Sequence, residues 1–282
     1  MRFQTKVLLQ LNKLFKVPVH PFNLQNEGKK TYSMWQYEKG SDTITNYVQF
    51  MSAEEMFKDK TVLDIGCGAA GKSLYYASLG AKMVHGVDVV ERYEKESGKL
   101  AESLGLSEKF KFHLCDAAKL EFEDEYFDTI IMNDSMEHVS EPEKVLQQCR
   151  RVLKKGGRLF INFCPYHHPY GAHLSDVIGM PWVHLFFSEK TMIDAYRYLV
   201  AGLPDEKDRL AFRFSENEAG EETISYINHM TIKRFNKIIK NCGMDTIYYK
   251  EISLRKITKP LAVCPGLKEL FVKMTAAVLE KK

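Results

Sequence analysis

The first half of the chain contains a glycine-rich turn and, 20 residues beyond its second glycine, an aspartate. Residues 61–73, TVLDIGCGAAGKS, begin with an apolar run typical of a buried parallel strand and continue into a glycine-rich turn. Its glycines are Gly66, Gly68 and Gly71. Glycine tolerates positive φ and lets a ligand approach bare backbone, and a helix predicted from Ala69 or Ala70 directs its free N–H groups toward the strand end. Asp88 follows Gly68 by 20 residues, the separation at which an acid accepts hydrogen bonds from ribose hydroxyls. We therefore expect a nucleotide-type cofactor at this turn.

Further polar residues stand where other predicted strands end. Asp64 lies at the exit of the first strand, Asp116 follows the third, and Asn133 and Asp134 follow the fourth. A pyrophosphate prefers an amide-lined helix N-terminus without an acid nearby, whereas a cationic cofactor favours carboxylates. Each acid alone could be a helix cap or a solvated turn, but four successive strand ends together favour a binding site for a cation.

The elements that position these residues alternate regularly along the chain. Predicted strands cover 81–90, 109–117, 126–134 and 157–163, and predicted helices cover 91–105 and 141–156. Strands separated by helices of this length imply right-handed crossovers and a doubly wound parallel sheet. In such sheets ligands bind beyond the carboxyl ends of the strands, which is where the acids stand.

The amino-acid composition indicates which classes of partner and which cellular compartment to expect. The net charge of +3 comes from 40 bases and 37 acids without a block of like charge, so nucleic acid is not the expected partner. The six cysteines form no C-x-x-C pair and the sequence shows no signal peptide, which indicates reduced thiols and a cytoplasmic protein. No apolar run is long enough to span a bilayer, and peripheral contact with a membrane stays open.

The N-terminal segment is amphipathic. Residues 1–17 place five apolar residues on one helical stripe among three lysines. The apolar residues are Val7, Leu8, Leu11, Leu14 and Phe15. Two interpretations remain, a helix packed on the domain and a helix lying on a lipid interface. Residues 18–30, with Pro21, Asn26 and Gly28, are predicted to be a connecting loop, and Tyr37 and Lys39 beyond them are polar candidates for the site.

The turn G-C-G-A-A-G, Asp88, the Cys115-Asp116-Ala117 step and the run MNDSMEHVSEP together resemble the class I S-adenosylmethionine-dependent methyltransferases, from Val62 to Phe163. The resemblance implies S-adenosylmethionine as cofactor and S-adenosylhomocysteine as product. It assigns the methionine portion to Asp64, Gly66, Cys67 and Gly68, the ribose to Asp88 beside Val89, the adenine to Asp116 and Ala117, and the sulfonium region to Asn133 and Asp134. Ala70 departs from the family pattern, because many members carry glycine there.

The segment 128–163 resembles the small-molecule branch of this family, including the ubiquinone-biosynthesis O-methyltransferases. Asp134, Glu137 and His138 match an acid spacing of that branch, which would bring two carboxylates and an imidazole to one divalent ion. The favoured interpretation is that no metal binds and that the histidine packs under the cofactor or acts as a general base.

A histidine-rich segment, 163–187, follows the fifth strand. It contains His167, His168, His173 and His184 together with Tyr166, Tyr170 and Trp182. Their spacing does not suit zinc, whereas a neutral imidazole suits general-base catalysis. We expect the base to be His138, His168 or His173, and the substrate to contact Tyr37, Tyr166, Tyr170 and Trp182. Each histidine could equally cap a helix or bond buried backbone. Residues 177–187 form either an apolar substrate wall or a patch that touches lipid.

The resemblance also predicts the remaining organisation. Residues 1–50 form a helical lid, 51–164 the Rossmann-like cofactor-binding core, 165–230 a helical cap inserted after strand five, and 231–282 the rest of the sheet. Within these, 188–203 is a predicted helix with Ser188 as N-cap, 215–223 a solvated loop, 231–243 a helix, 244–252 a strand and 260–268 a loop. Residues 272–282 fit a helix by periodicity alone, but the family topology makes them a seventh, antiparallel strand, and we follow the family.

The predicted activity is methyl transfer to a small-molecule or lipid-like acceptor, most simply at oxygen. Transfer to carbon or nitrogen is the enzymatic alternative. A non-catalytic cofactor-binding protein, or one docked on a membrane, is the alternative from another class. An NAD-dependent oxidoreductase would use a similar first turn, but the G-C-G turn and the Asp116 step disfavour it.

Overall fold

The computed structural model describes residues 1–20, 22–23, 31–217, 219–225 and 227–282. The chain forms two compact units. The sheet unit comprises 30–163, 232–252 and 274–282, and the helical unit comprises 1–29, 164–231 and 253–273. Of the predicted loop 18–30, Pro21, Asn26 and Gly28 lie outside the described residues. Among the described helices, none has the length and apolarity to cross a bilayer.

The strands, numbered along the chain, are β1 Thr61–Ile65, β2 Met83–Asp88, β3 Phe110–Leu114, β4 Phe127–Asn133, β5 Leu153–Phe163, β6 Phe214–Glu216, β7 Glu222–Ile224, β8 Asp245–Ser253 and β9 Val272–Glu280. The helices are α1 Phe3–Asn12, α2 Tyr32–Glu38, α3 Gly40–Ile44, α4 Ala53–Phe57, α5 Gly71–Ser78, α6 Arg92–Ser103, α7 Pro142–Val152, α8 Val183–Phe186, α9 Glu189–Val200, α10 Glu206–Arg213, α11 Ile232–Asn241, α12 Lys259–Val263 and α13 Lys268–Phe271.

A seven-stranded sheet in the order β3-β2-β1-β4-β5-β9-β8 confirms the predicted fold. Strands β1 to β5 pair in parallel, and β9 runs antiparallel to β5 with Arg158 opposite Glu280. Residues 276–279 in β9 are all buried. A segment buried on both faces belongs in the middle of a sheet, which explains why helical periodicity misled at this position.

Two predicted loops are wrong. Within 215–223, β6 and β7 form a two-stranded antiparallel sheet, because Phe214 and Ile224 pair with each other and are both buried. Of the predicted loop 260–268, the first four residues belong to the helix α12 and Lys268 begins α13, while 264–267 connect them; Pro260 stands in the first turn of α12, where its missing N–H costs nothing. The helix predicted for 141–156 ends at Val152, because the following residues already belong to β5.

Helix α1 packs inside the helical unit, and of the predicted stripe only Leu8 is buried in its core. Its buried residues are Thr5, Leu8, Leu9 and Asn12. Leu8 and Leu9 join an apolar cluster with Met192 and Tyr196 of α9, whose N-cap is Ser188 as predicted. Leu14 of the predicted stripe is 77 % exposed, since the chain has left the helix before it. Of the two interpretations of this segment, α1 therefore matches the helix packed against protein, within its own unit.

Candidate active site

The glycine turn is fixed between the ends of two strands. Gly66 and Gly68 have φ values of 71° and 55°, which glycine adopts without strain. The N–H groups of Gly66 and Cys67 both donate to the carbonyl oxygen of Val87, at 2.9 and 3.1 Å. A Cβ on Gly66 would stand 2.6 Å from the Cβ of Ser135. The turn therefore has one conformation, which keeps bare backbone at the carboxyl end of β1.

Asp88 ties the end of β2 to this turn. Its Oδ2 accepts the N–H of Gly68 at 2.8 Å, and its Oδ1 accepts the N–H of Val90 at 3.0 Å. Burial raises the pKa of Asp88, although these backbone N–H donors oppose the shift. A carboxylate has about four lone-pair sites and three backbone N–H groups, those of Gly68, Val89 and Val90, bond Asp88, so acceptor capacity remains for a ligand. The neighbouring Val89 is 69 % exposed.

Asp64 and Cys67 face inward. The Oδ2 of Asp64 accepts the hydroxyl of Ser73 in α5 at 2.6 Å, and burial raises the pKa of Asp64 to about 6. The sulfur of Cys67 lies against Gly86, where a Cβ would stand 2.8 Å away, and burial raises the pKa of the Cys67 thiol. Both side chains thus hold the turn against its neighbours.

Asn133 at the end of β4 belongs to a buried polar network. Its Oδ1 accepts the hydroxyl of Tyr47 at 2.7 Å and the amide of Asn162 at 2.6 Å. Its Nδ2 donates to the hydroxyl of Tyr76 at 3.3 Å and to the carbonyl of Thr43 at 3.4 Å. Burial raises the pKa of Tyr47, which therefore stays a neutral donor. The amide of Asn133 positions the strand end by satisfying these groups.

Asp134 begins the loop after β4. Its φ of 53° is uncommon for a residue with a side chain, and its Oδ2 accepts Nζ of Lys72, in the first turn of α5, at 2.8 Å. Burial is the largest single influence and lowers the pKa of Lys72, but the charge and hydrogen bond of Asp134, together with Tyr76 and Asp64, outweigh it and raise that pKa. Further along, Glu137 is buried and His138 half-buried, with the N–H of His138 on the carbonyl of Ser135 at 3.0 Å. The loop thus leads from β4 to α7, is tied to α5 by the ion pair of Asp134 with Lys72, and holds an imidazole on the sheet unit.

Asp116 caps a short turn. Its Oδ1 accepts the N–H of Ala118 at 2.9 Å at the start of the 3-10 turn Ala117–Lys119. Asp116 itself is exposed and Ala117 is buried. The side chain of Asp116 therefore forms the turn cap that was the alternative to a binding role for this acid. The edge of the sheet after β3 is exposed.

Sequence reasoning missed Tyr32 and Gln36 of α2. A Cβ on Gly68 would stand 3.8 Å from Cε1 of Tyr32 and 3.7 Å from Nε2 of Gln36, so α2 covers the turn. Gln36 donates through Nε2 to the hydroxyl of Tyr32 at 2.9 Å, while its buried Oε1 has no hydrogen-bond partner among the described residues. Burial, together with the charges of Asp134 and Asp88, raises the pKa of Tyr32. The one available signal was their i, i+4 spacing in TYSMWQYE, which puts both on one helix face.

Tyr37 and Lys39, chosen from the sequence, lie elsewhere on the sheet unit. The ring of Tyr37 packs edge-on against Tyr75, with centroids 6.4 Å apart. Lys39 pairs with Asp42 at 3.3 Å, and both side chains are exposed. In this structure Tyr37 therefore faces the flank of α5.

The helical unit gathers histidines around Tyr166. The ring of Tyr166 lies 4.2 Å from that of His229 and 4.8 Å from that of His184, and 5.5 Å from His167. Burial raises the pKa of Tyr166 and lowers that of His184 to about 4. The phenol and the imidazole are therefore both neutral near pH 7.

The other predicted residues of this unit stand around strained backbone. His168 is buried, its Nδ1 accepts the N–H of Tyr170 at 3.3 Å, and burial lowers its pKa to about 4. His173 and Trp182 have φ values of 53° and 55°, a conformation that costs free energy and is concentrated at functional sites. Trp182 packs edge-on against Phe271 at 6.0 Å, and the carbonyl of His173 accepts a hydrogen bond from Arg213.

Comparison with known proteins bears on the sheet unit. Residues 63–161 match the methyltransferase domain family. A sterol 4-C-methyltransferase from Caenorhabditis elegans is 29 % identical over 46 % of this chain and 42 % of its own length. A tocopherol O-methyltransferase from Arabidopsis thaliana is 37 % identical over 38 % of this chain and 31 % of its own length. A ubiquinone biosynthesis O-methyltransferase from Coxiella burnetii is 29 % identical over 48 % of this chain and 56 % of its own length. The chain thus spans about half or less of the length of these relatives.

Solved structures share the fold. A S-adenosylmethionine-dependent methyltransferase from Methanosarcina mazei superposes with a TM-score of 0.50 and 21 % identity over 79 % of this chain and 93 % of its own. A [4+2]-cyclase, SpnF, superposes with a TM-score of 0.52 and 16 % identity over 81 % of this chain and 79 % of its own. Because a cyclase has the same architecture, the fold alone does not specify the reaction.

Proposed function

Since this chain carries a methyltransferase domain of the class I S-adenosylmethionine-dependent family, we propose that it transfers a methyl group from that cofactor to an oxygen of a small-molecule or lipid-like acceptor. One observation carries the proposal. The carboxylate of Asp88 is held by the N–H of Gly68 at 2.8 Å beside the glycine turn, at the end of β2, where an acid accepts hydrogen bonds from ribose hydroxyls.

The residues around the turn fit such a cofactor. Asp88 would hold the ribose, the bare backbone at Gly68 leaves room beside it, and Oε1 of Gln36, which has no hydrogen-bond partner among the described residues, offers an acceptor for a hydroxyl or ammonium group. When bound, S-adenosylmethionine supplies a methyl group on a sulfonium cation. The ion pair of Asp134 with Lys72 and the network of Asn133 keep the strand ends in place, so the protein spends little free energy on ordering them during binding.

We propose His138 as the general base that takes the acceptor's proton. It stands on the sheet unit, four residues beyond Asp134, in the loop that holds the cofactor residues. A base works best with a pKa near the working pH, and the pKa of His168 is lowered to about 4. His173 remains a further candidate in the helical unit.

The relatives support a lipid-like acceptor. Two of them are named for methylation at oxygen of tocopherol and in ubiquinone biosynthesis, and one for methylation at carbon of a sterol. Oxygen transfer is therefore the first proposal, and carbon transfer is the second candidate.

Isothermal titration with S-adenosylmethionine tests the cofactor site. Asp88→Ala is expected to weaken binding about 10- to 100-fold, the loss typical of hydrogen bonds to a charged group. Asp42→Ala is the matched control, because the side chain of Asp42 is exposed and pairs with Lys39, and it should bind normally. A folded wild-type chain that does not bind the cofactor, or Asp88→Ala with full affinity, would refute the site.

Label transfer from methyl-labelled cofactor tests the reaction. Prenylated phenols and sterols are the two acceptor panels, and mass spectrometry of the products distinguishes an O-methyl from a C-methyl group. Binding without transfer to any acceptor would favour the non-catalytic alternative. If mixing the protein with reduced nicotinamide cofactor enhances the fluorescence of that cofactor, the NAD-dependent oxidoreductase alternative is favoured.

A further inference from the structure

The two last strands of the sheet, β8 and β9, are neighbours, yet residues 254–271 intervene between them. Neighbouring strands of a hairpin usually need a loop of two to five residues. The N–H of Leu254 donates to the carbonyl oxygen of Phe271 at 2.8 Å and closes the base of the insertion. Inside it lie a 3-10 turn at Lys256–Thr258 and helices α12 and α13. We call residues 254–271 the β8–β9 insertion, a compact surface loop of a kind that is frequently functional.

The β8–β9 insertion exposes large aliphatic side chains. Ile257 is 85 % exposed and Val263 is 69 % exposed, and Leu261 and Leu267 are each 37 % exposed. Single exposed apolar residues are ordinary on protein surfaces, but a group within one short loop marks a contact surface. The turn and the short helices fix these side chains outward, because only Ala262 of α12 is buried.

The charge of the insertion matches one kind of partner. It contains four bases, Arg255, Lys256, Lys259 and Lys268, and one acid, Glu269. Its net charge of +3 equals that of the whole chain, so the remaining residues are balanced. Lys256 and Lys259 flank Ile257 and are exposed, and in the described part of the chain neither pairs with a carboxylate. Lysines beside exposed aliphatic residues are complementary to a surface with anionic groups over an apolar interior.

The composition distinguishes a membrane from a protein partner. Protein interfaces are enriched in aromatic residues and depleted of lysine. The exposed residues of the insertion are aliphatic and lysine-rich, and none of its exposed residues is aromatic. This is the reverse of the pattern that a protein interface favours.

We propose that the β8–β9 insertion docks the protein on an anionic phospholipid bilayer. Ile257 and Val263 enter the interface while Lys256 and Lys259 contact lipid phosphates. The inference is independent of the proposed reaction, although it would bring a lipid-like acceptor to the protein. The proposal places docking here and not on the two surfaces that the sequence suggested, 1–17 and 177–187, where Leu14 is 77 % and Phe186 69 % exposed.

Flotation of the full-length chain with vesicles tests the proposal. Vesicles of phosphatidylcholine with phosphatidylglycerol should carry the protein upward, and pure phosphatidylcholine should bind at least about tenfold less, because each lysine near an anionic surface strengthens binding several-fold. Added salt should weaken the binding. A wild-type chain that stays unbound with the anionic vesicles overturns the proposal.

Variants locate the surface. Ile257→Glu with Val263→Glu should reduce binding at least about tenfold, and Lys256→Gln with Lys259→Gln should reduce it about 30-fold. Both lysines are exposed, so the lysine variant should fold even if the first variant does not. Far-ultraviolet circular dichroism and cofactor titration check the folding of both variants. Leu14→Glu and Phe186→Glu are matched controls and should bind normally. Loss in the controls with full binding in both double variants would place docking elsewhere and refute the insertion.

Discussion

The carbonyl oxygen of Ser33 lies 2.1 Å from the position that a Cβ on Gly71 would occupy. Helices α2 and α5 therefore meet backbone to backbone, with the N–H of Tyr37 only 2.7 Å from the same position. This contact holds Tyr32 and Gln36 over the glycine turn. The third glycine of the turn thus serves helix packing, while the first two serve the turn itself.

Gly71→Ala should push α2 away from α5. We expect a loss of about 1–3 kcal/mol in the free energy of unfolding, typical of overpacking, and weaker S-adenosylmethionine binding. Gly98→Ala in α6 is the matched control, since nothing lies within 4 Å of its Cβ position, and it should stabilise the protein by about 0.5–1 kcal/mol. Urea unfolding and calorimetric titration measure both. Equal stability of the two variants would contradict the contact.

Gln36→Leu should weaken cofactor binding without a large change in stability. Leucine keeps the packing volume but removes the buried acceptor Oε1 and the hydrogen bond from Nε2 to the hydroxyl of Tyr32, so we expect about a five- to tenfold higher Kd, the value of one hydrogen bond to the cofactor. Tyr37→Phe on the same helix should bind normally, because Tyr37 faces Tyr75. If Gln36→Leu kept full affinity, Gln36 would be a packing residue only.

Acid should destabilise the protein through buried imidazoles. Nδ1 of His85 lies 2.9 Å from Nε2 of His113, and burial, with the charges of His113 and Lys111, lowers the pKa of His85 to about 4. The pKa of His85 in the folded chain is below its unfolded value of 6.5, so the unfolded chain binds more protons at every pH between these two values. The stabilisation of the folded state by a neutral His85 is fully present above pH 6.5 and is lost as the pH falls through about 4. The loss in the free energy of unfolding is at most about 3 kcal/mol.

His85→Phe should remove part of this pH dependence. Phenylalanine suits the surrounding rings of Phe122, Tyr126 and Phe127, which lie within 5.7 Å of the imidazole. The pKa values of His20, His168 and His184 are also lowered to about 4, so a slope should remain in the variant. Urea unfolding from neutral pH to pH 4 is the measurement, and an identical slope in both proteins would argue against a buried neutral His85.

Asp176 should be the most costly carboxylate to neutralise in the helical unit. Its side chain is fully buried and contacts Arg209 at 2.9 Å and Arg213 at 3.0 Å, and it accepts the hydroxyl of Tyr196 at 2.7 Å. Asp176→Asn leaves two buried guanidinium groups without this counter-charge and should cost about 3–5 kcal/mol. Glu222→Gln breaks a half-exposed pair with Arg197 and should cost about 1 kcal/mol or less. Similar melting temperatures of the two variants would contradict this difference.

Turnover should depend on His138 more than on His168. His138→Ala is expected to lower kcat about 10²- to 10⁴-fold, the usual contribution of a general base, with cofactor affinity nearly unchanged. His168→Ala should leave most of the rate, because a group whose pKa is about 4 accepts protons weakly. The pH profile of kcat tests the assignment further, since its lower limb should disappear in His138→Ala. The opposite order of effects would assign the base to His168.

The acids at the strand ends could be predicted because their position follows from local rules. The apolar run before Gly66 fixes a strand, and parallel pairing brings every strand end to one edge, so Asp88 had to reach the turn. Roles were harder to predict than positions. Asp64 and Asn133 lie where expected, but their side chains bond Ser73 and Tyr47 in the interior.

Resemblance to the family, and not periodicity, predicted the antiparallel strand β9. The sequence by itself determined the order of strands and helices from β1 to β5 and the glycine turn with its acid. These depend on hydrophobic periodicity and backbone freedom over a few residues. Only the tertiary structure decided that Tyr32 and Gln36 cover Gly68, that Tyr47 reaches Asn133 from 86 residues away, and that Ile257 is exposed. Such contacts depend on which faces of distant elements pack together, and the periodicity of a single segment does not carry that information.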